Sequence, residues 1–311
     1  MFPPSRNRAG RRASYRRGID VNEALILCRL LHYGAAIMLF GIAMFESTLA
    51  PNGLRAALAS RLRPVFAGAS MVALFTTAAW LLLLSGQMAG DWADVWTPST
   101  WYAVLADTEF GQVWRYRIAI AVLLCGLLFV RRPVFWRGGA VLSALFLASL
   151  GLIGHAAMLE GVEGWLNRAS QIVHLLAGGF WLGSLAPLLL CLGRLSDAAL
   201  RDDAGAALRR FSGCGHFAVA IVVATGILNT RLVLDRWPVH FSSPYQALLA
   251  AKISLVACMI CLALTNRYIL VPRLKAGNGA LTSLRWSTVA EIVLGIGVIA
   301  LVSVFGTLPP Q

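Results

Sequence analysis

Charged residues are scarce in this chain. Only 13% of its 311 residues are Asp, Glu, Lys or Arg, and 14 of them are acidic, whereas a soluble domain has about 25% charged residues. Hydrophobic residues make up 58% of the chain, and the mean hydropathy is +0.71. This composition excludes a disordered chain and an ordinary soluble enzyme, because too few polar groups are present to cover a soluble surface. It predicts a polytopic membrane protein.

Sequence motifs for hydrolysis and nucleotide chemistry are missing as well. The chain contains no Gly-x-Ser-x-Gly, no His-Glu-x-x-His, no P-loop and no Rossmann fingerprint. It also has no room for the soluble nucleotide-binding domains of an ATP-driven pump. We therefore expect a protein that is not an enzyme, and any transport to be passive, ion-coupled or driven by a partner.

Cysteine is infrequent, with six residues that all lie in or beside apolar runs. Two of them form a Cys-x-x-Cys pair, Cys258 and Cys261, in the middle of a hydrophobic run. A zinc or redox site of this type usually needs a second pair or a polar setting. We interpret these cysteines as small hydrophobic core residues.

The net charge of +13 is the next constraint on function. A strongly basic chain can indicate a nucleic-acid partner. Here the cations lie between apolar runs, which is typical of membrane proteins. We expect contact with membrane lipid and no nucleic-acid partner.

Eight segments are long and apolar enough to cross a bilayer as helices of about 20 residues. The sequence thus predicts an all-α fold, a polytopic bundle of eight transmembrane helices, with no internal repeat of convincing strength. The predicted helices span approximately 24–45, 65–86, 113–130, 138–159, 168–192, 212–234, 247–270 and 286–308.

The loops after odd-numbered helices are rich in arginine, and those after even-numbered helices carry most of the acidic residues. By the positive-inside rule, the arginine-rich loops are cytoplasmic and both termini are periplasmic, in a bacterial inner membrane. Six arginines within residues 1–20 contradict this orientation. We interpret residues 1–20 as a disordered tail or a mis-assigned start, and 21–311 as the membrane domain.

Ionisable side chains at membrane depth are costly and mark candidate sites. With a rise of about 1.5 Å per residue, His32, His155 and His174 fall in the outer half of the membrane. Met158 shares a helix face with His155. Imidazole and thioether together favour copper. The sequence predicts a copper site of His32, His155, His174 and Met158, although a lone histidine in a bundle often serves packing alone.

The other intramembrane polar residues receive less specific interpretations. We expect Arg117 and Lys252 to extend to the outer interface, and Glu291 to pair with an arginine. His216, near the cytoplasmic side, is interpreted as an interfacial residue that could also act, after Met38, as an exit ligand.

Several short motifs follow one another in a characteristic order. They are Phe110-Gly111 with Trp114 and Arg117, Gly154-His155-Ala156, Gln171 to His174 followed by Gly179-Phe180-Trp181-Leu182-Gly183, Phe211-Ser212, Thr225-Gly226 with Asn229, and Lys252 with Asn266-Arg267. Across residues 25–308 this pattern resembles the copper resistance protein D family, the membrane partners of the periplasmic copper carrier CopC.

The resemblance implies an inner-membrane protein that moves copper from periplasm to cytoplasm. His155 and His174 match the motif histidines of the family, while His32 and Met158 are added from depth and chemistry. No CopC-like domain is fused to the chain, so a separate carrier would deliver copper. Two alternatives remain open: a b-type haem electron-transfer protein ligated by His32 with His155 or His174, and an assembly subunit whose histidines only pack.

Overall fold

The computed structural model describes residues 20–89, 92–130, 134–154, 160–234, 243–274 and 278–308, and these residues contain helices and no strand. Eight helices are long and apolar enough to span a membrane, which confirms the predicted fold class. They are α1 (Val21–Leu49), α2 (Asn52–Ala89), α3 (Glu109–Phe129), α4 (Val134–Leu152), α5 (Gly161–Leu192), α6 (Arg201–Leu234), α7 (Pro244–Arg273) and α8 (Gly279–Phe305).

Several helices begin earlier than their hydrophobic runs. Helix α2 begins at Asn52, although the apolar run was predicted to begin near residue 65, and it continues through Pro64. Helix α6 begins at Arg201 instead of near residue 212. Hydropathy marks the part of a helix that lies in lipid, and the polar first turns of these helices extend beyond it.

We call the face at which the odd-numbered helices begin the first face, and the opposite face the second face. Helix α1 lies at the centre and packs against α2, α4, α5 and α8. Helices α6 and α7 are the least buried within the bundle. Their outward apolar surface is what a helix in contact with lipid requires.

The bundle has two halves, α1–α4 and α5–α8, which meet where α1 crosses α5. A methyl group added to Gly41 would lie 2.0 Å from the carbonyl carbon of Gly183, and one added to Gly183 would lie 2.2 Å from the carbonyl oxygen of Ile37. The hydroxyl of Ser184 also donates to the carbonyl of Gly41 at 3.3 Å. Small residues allow membrane helices to approach this closely, so the contact fixes the relative position of the two halves.

This contact predicts that Gly41→Ala destabilises the protein. The added methyl must displace backbone, and overpacking of this kind costs about 1–3 kcal/mol. We expect a lower midpoint of thermal unfolding for the purified protein in detergent. Gly34→Ala on the same helix is the matched control, because an added methyl there meets no atom within 4 Å. Equal midpoints for the two variants would contradict the role of this contact.

Candidate metal-transport site

A cavity of about 420 Å³ opens at the first face, and all eight helices contribute to its wall. Its polar lining comes mainly from α5, α6 and α7. The polar residues relevant to ligand binding are Arg29, Asn167, Gln171, His174, Asn229 and Lys252. We call this space the first-face cavity.

The imidazole of His174 is held in one orientation by α6. Its Nδ1 lies 2.9 Å from the hydroxyl oxygen of Thr225, and that hydroxyl donates its single proton to the carbonyl of Ile221 at 2.6 Å. The Thr225 oxygen therefore accepts a hydrogen bond from Nδ1–H of His174. The Nε2 atom of His174 is left with the lone pair, which is the arrangement typical of a metal-binding histidine.

The first-face cavity continues towards the middle of the bundle. An interior cavity of about 180 Å³ shares His174, Gln171 and Lys252 with it, and the thioether residue Met259 lines its wall. A third cavity of about 110 Å³ lies at the second face and shares Trp181 with the interior one. The three cavities thus follow one another between the two faces, along α5 to α8.

The wall of the second-face cavity is mainly apolar, with a few polar side chains such as Glu291, Asn266 and His216 among its lining residues. Glu291 accepts hydrogen bonds from the amide of Asn266 at 2.6 Å and from the Trp181 indole. Nε2 of His216 lies 3.2 Å from the hydroxyl of Tyr268. The expected pairing of Glu291 with an arginine is not what the described residues show, because neutral amide and indole groups occupy that position.

His32 lies in a sealed cluster outside the lining of the first-face cavity. It is fully buried, with the rings of Trp80 and Phe146 each centred 5.2 Å from its own. Nδ1 lies 2.9 Å from the hydroxyl of Thr76, which itself donates to Val72 at 2.6 Å. By the same reasoning as for His174, Nε2 of His32 carries the lone pair.

Arg117 donates a hydrogen bond to this lone pair on Nε2 of His32. Its guanidinium contacts Nε2 of His32 and also donates to the carbonyl of Phe146 at 2.7 Å. Arg117 is fully buried, so the expectation that it reaches the outer interface is wrong. The aromatic rings around it and the carbonyl of Phe146 solvate the guanidinium within the bundle.

The same arrangement occurs in both halves of the bundle. His32 and His174 lie on the first and fifth helices, each nine residues before a glycine of the α1–α5 contact. Each histidine donates from Nδ1 to a threonine on the following helix. A cation follows on the third helix as Arg117 and on the seventh as Lys252. This repeat escaped the sequence analysis because few residue identities are shared.

His155 and Met158 lie outside the described residues, so the structure does not place them beside His174. His32 and His174 lie in the two halves of the bundle, one enclosed and one facing a cavity. Met38 packs against the hydrophobic core. Within the described part of the chain, no three His, Cys, Asp or Glu side chains lie close enough to hold a metal ion.

The sequence analysis missed Met259 as a candidate ligand. Met259 is buried at 3% exposure, whereas its neighbours Cys258 and Cys261 are exposed on the outside of the bundle. The interpretation of these two cysteines as core residues is therefore wrong. The Cys-x-x-Cys spacing drew attention to the cysteines, although Met259, one of the two residues between them, is the buried one.

Two models of protein families match this chain, one in its N-terminal part and one in its C-terminal part. The model of the "Copper resistance protein D-like, N-terminal domain" matches residues 19–165, and that of "Copper resistance protein D" matches residues 205–305. No solved structure gives a significant match.

Three curated relatives extend this result. Inner membrane protein YebZ of Escherichia coli (strain K12) is 34% identical, over 92% of this chain and 98% of its own length. Copper resistance protein D of Pseudomonas syringae pv. tomato is 26% identical, over 92% and 96%. Copper transport protein CutJ of Bacillus subtilis (strain 168) is 26% identical, over 71% and 40%. The chain therefore belongs to the copper resistance protein D family of multi-pass membrane proteins.

Proposed function

We propose that the chain moves copper across the bacterial inner membrane, from periplasm to cytoplasm, through the three cavities between α5 and α8. The observation that carries this proposal is His174, whose Nδ1 is bound to Thr225 and whose Nε2 is free to bind a metal at the wall of a cavity. Copper is the cargo in this proposal and is not a resident cofactor.

The ligands beyond His174 suit copper in their chemistry. Met259 supplies a thioether in the interior cavity, and His216 supplies an imidazole in the second-face cavity. Imidazole and thioether are ligands that copper accepts readily, and thioether favours Cu(I). Copper would therefore pass from His174 to Met259 and then to His216.

His155 and Met158 are proposed as entry ligands ahead of His174. Gly154, which directly precedes His155 in the chain, lines the first-face cavity. The arginine-rich loops lie at the second face, and the positive-inside rule supports the proposal that this face is cytoplasmic and that the first-face cavity opens to the periplasm. A separate periplasmic carrier of the CopC type would then deliver copper to this entry.

The geometry favours copper transport over the haem alternative. Axial ligation of a haem needs an imidazole nitrogen with a free lone pair, and Arg117 occupies that nitrogen of His32. The alternative of an assembly subunit, in which the histidines only pack, fits the sealed position of His32. It does not explain the free Nε2 of His174 at a cavity wall.

The first prediction concerns the orientation of His174. We expect Thr225→Val to lower copper uptake into proteoliposomes by about 10-fold, because loss of a partner that orients a ligating histidine commonly weakens metal binding by about 10- to 100-fold. His174→Ala should lower it further.

The matched control for Thr225→Val is Ser254→Ala. Ser254 is exposed on α7 and hydrogen-bonds only its own helix, at Ala250, so uptake should remain at the wild-type level. If Thr225→Val and His174→Ala both transport copper normally, the proposed route through α5 and α6 is wrong.

The second prediction separates the two histidines. His32→Gln keeps a polar group between Thr76 and Arg117, so we expect normal copper uptake in a variant that folds. Arg117→Met removes the hydrogen bonds that Arg117 makes to His32 and to the Phe146 carbonyl, and the loss of hydrogen bonds from a buried charged group should cost about 2–4 kcal/mol of stability.

Thermal unfolding in detergent measures the effect of Arg117→Met, and proteoliposome uptake measures that of His32→Gln. A His32→Gln variant with wild-type stability but without copper uptake would make His32 a ligand, contrary to its structural role in this account.

A further inference from the structure

The charge of the first-face cavity is unbalanced. Two cations line it, Arg29 from α1 and Lys252 from α7, and its described lining includes neither Asp nor Glu. A bare copper ion entering this space would meet two positive charges before reaching His174. A negative charge inside the cavity would therefore be stabilised, and the described lining residues do not supply one.

Lys252 is the less compensated of the two cations. Its Nζ lies 5.6 Å from the centre of the Phe305 ring, and among the described residues it has no hydrogen-bond acceptor. The corresponding cation of the other half, Arg117, has acceptors for both terminal nitrogens of its guanidinium in Phe146, Ser149 and His32. A half-buried cation without such partners loses part of its hydration without compensation, so the Lys252 side of the bundle is the one that lacks a negative charge.

Arg29 is held at the cavity and cannot easily turn away. Its guanidinium donates to the carbonyl of Gly306 at 2.9 Å and to the hydroxyl of Tyr33 at 3.2 Å. It also lies over the Trp80 ring, 5.2 Å from the ring centre. Its charge is therefore fixed in position rather than extended into solvent.

Neutral hydrogen-bond donors complete the lining. Asn167 is 2% exposed, and its Nδ2 is buried without a partner in the described part of the chain. The side-chain oxygen of Gln171 accepts from Asn229 at 2.7 Å, which leaves the Gln171 amide hydrogens available. Unused hydrogen-bond donors next to two cations match both the acceptor oxygens and the negative charge of a carboxylate.

We propose that the first-face cavity binds an anion with a carboxylate group, through Lys252, Arg29, Asn167 and Gln171. The site rests on the charges and donors of the cavity. Only its connection with copper rests on the proposed function: the anion neutralises the cavity and accompanies copper to His174. The carboxylate belongs either to a small copper-chelating acid or to an acidic side chain of a carrier protein.

The test measures binding of radiolabelled succinate to the purified full-length protein in detergent. We expect saturable binding to the wild type, at least about 10-fold weaker binding to Lys252→Met, and binding within a few-fold of wild type for Lys252→Arg. Arg209→Gln is the control of equal charge change, because Arg209 is exposed near the start of α6, at the second face, and it should bind like the wild type.

Competing compounds identify the chemistry and its source. Citrate should displace succinate, whereas succinamide, its uncharged analogue, should not. If succinate does not bind but a synthetic acidic peptide binds in a Lys252-dependent manner, the carboxylate comes from a carrier. Absence of both succinate binding and peptide binding, or equal binding to wild type and Lys252→Met, would overturn the proposal.

Copper uptake is measured separately with the same variants. Wild-type carboxylate binding together with absent copper uptake would refute the proposed function and leave the anion site standing. Normal copper uptake without carboxylate binding would refute the anion site and leave the proposed function standing. The two failures are therefore distinguishable.

Discussion

The structure depends on one hydrogen bond that is made twice: Nδ1–H of a histidine donates to a threonine hydroxyl on the next helix. This bond leaves the lone pair on Nε2 and directs the ring. In the first half, Arg117 takes the lone pair and aromatic rings seal the site. In the second half, His174 faces a cavity. One local interaction thus stabilises one half and leaves the Nε2 atom of His174 available in the other.

The two halves are held together by the close contact of Gly41 with Gly183. Because each glycine lies nine residues after its histidine, the contact places both histidines at equivalent positions. Packing then differs between the halves. Trp80 and Trp114 fill the space around His32, whereas smaller residues around His174 leave three cavities in series. The proposed transport route through the second half rests on this difference in filling.

The sequence was sufficient for the number and approximate position of the helices, since hydrophobic runs of the required length are a direct consequence of the bilayer. It also indicated the family, and it named His174 as a candidate ligand, a residue that lines the first-face cavity. It could not separate His32 from His174, because both are single histidines at similar depth, and only tertiary contacts show that Arg117 occupies one of them. Met259 was missed for a related reason: nothing in an apolar run reveals which face of the helix points inward.

X-ray absorption at the copper edge of the copper-loaded protein tests the central claim most directly. The account predicts that copper at this site has at least one imidazole nitrogen among its ligands, and that the imidazole signal is weaker in His174→Ala and unchanged in His32→Gln. An imidazole signal that is unchanged in His174→Ala and weaker in His32→Gln would contradict it.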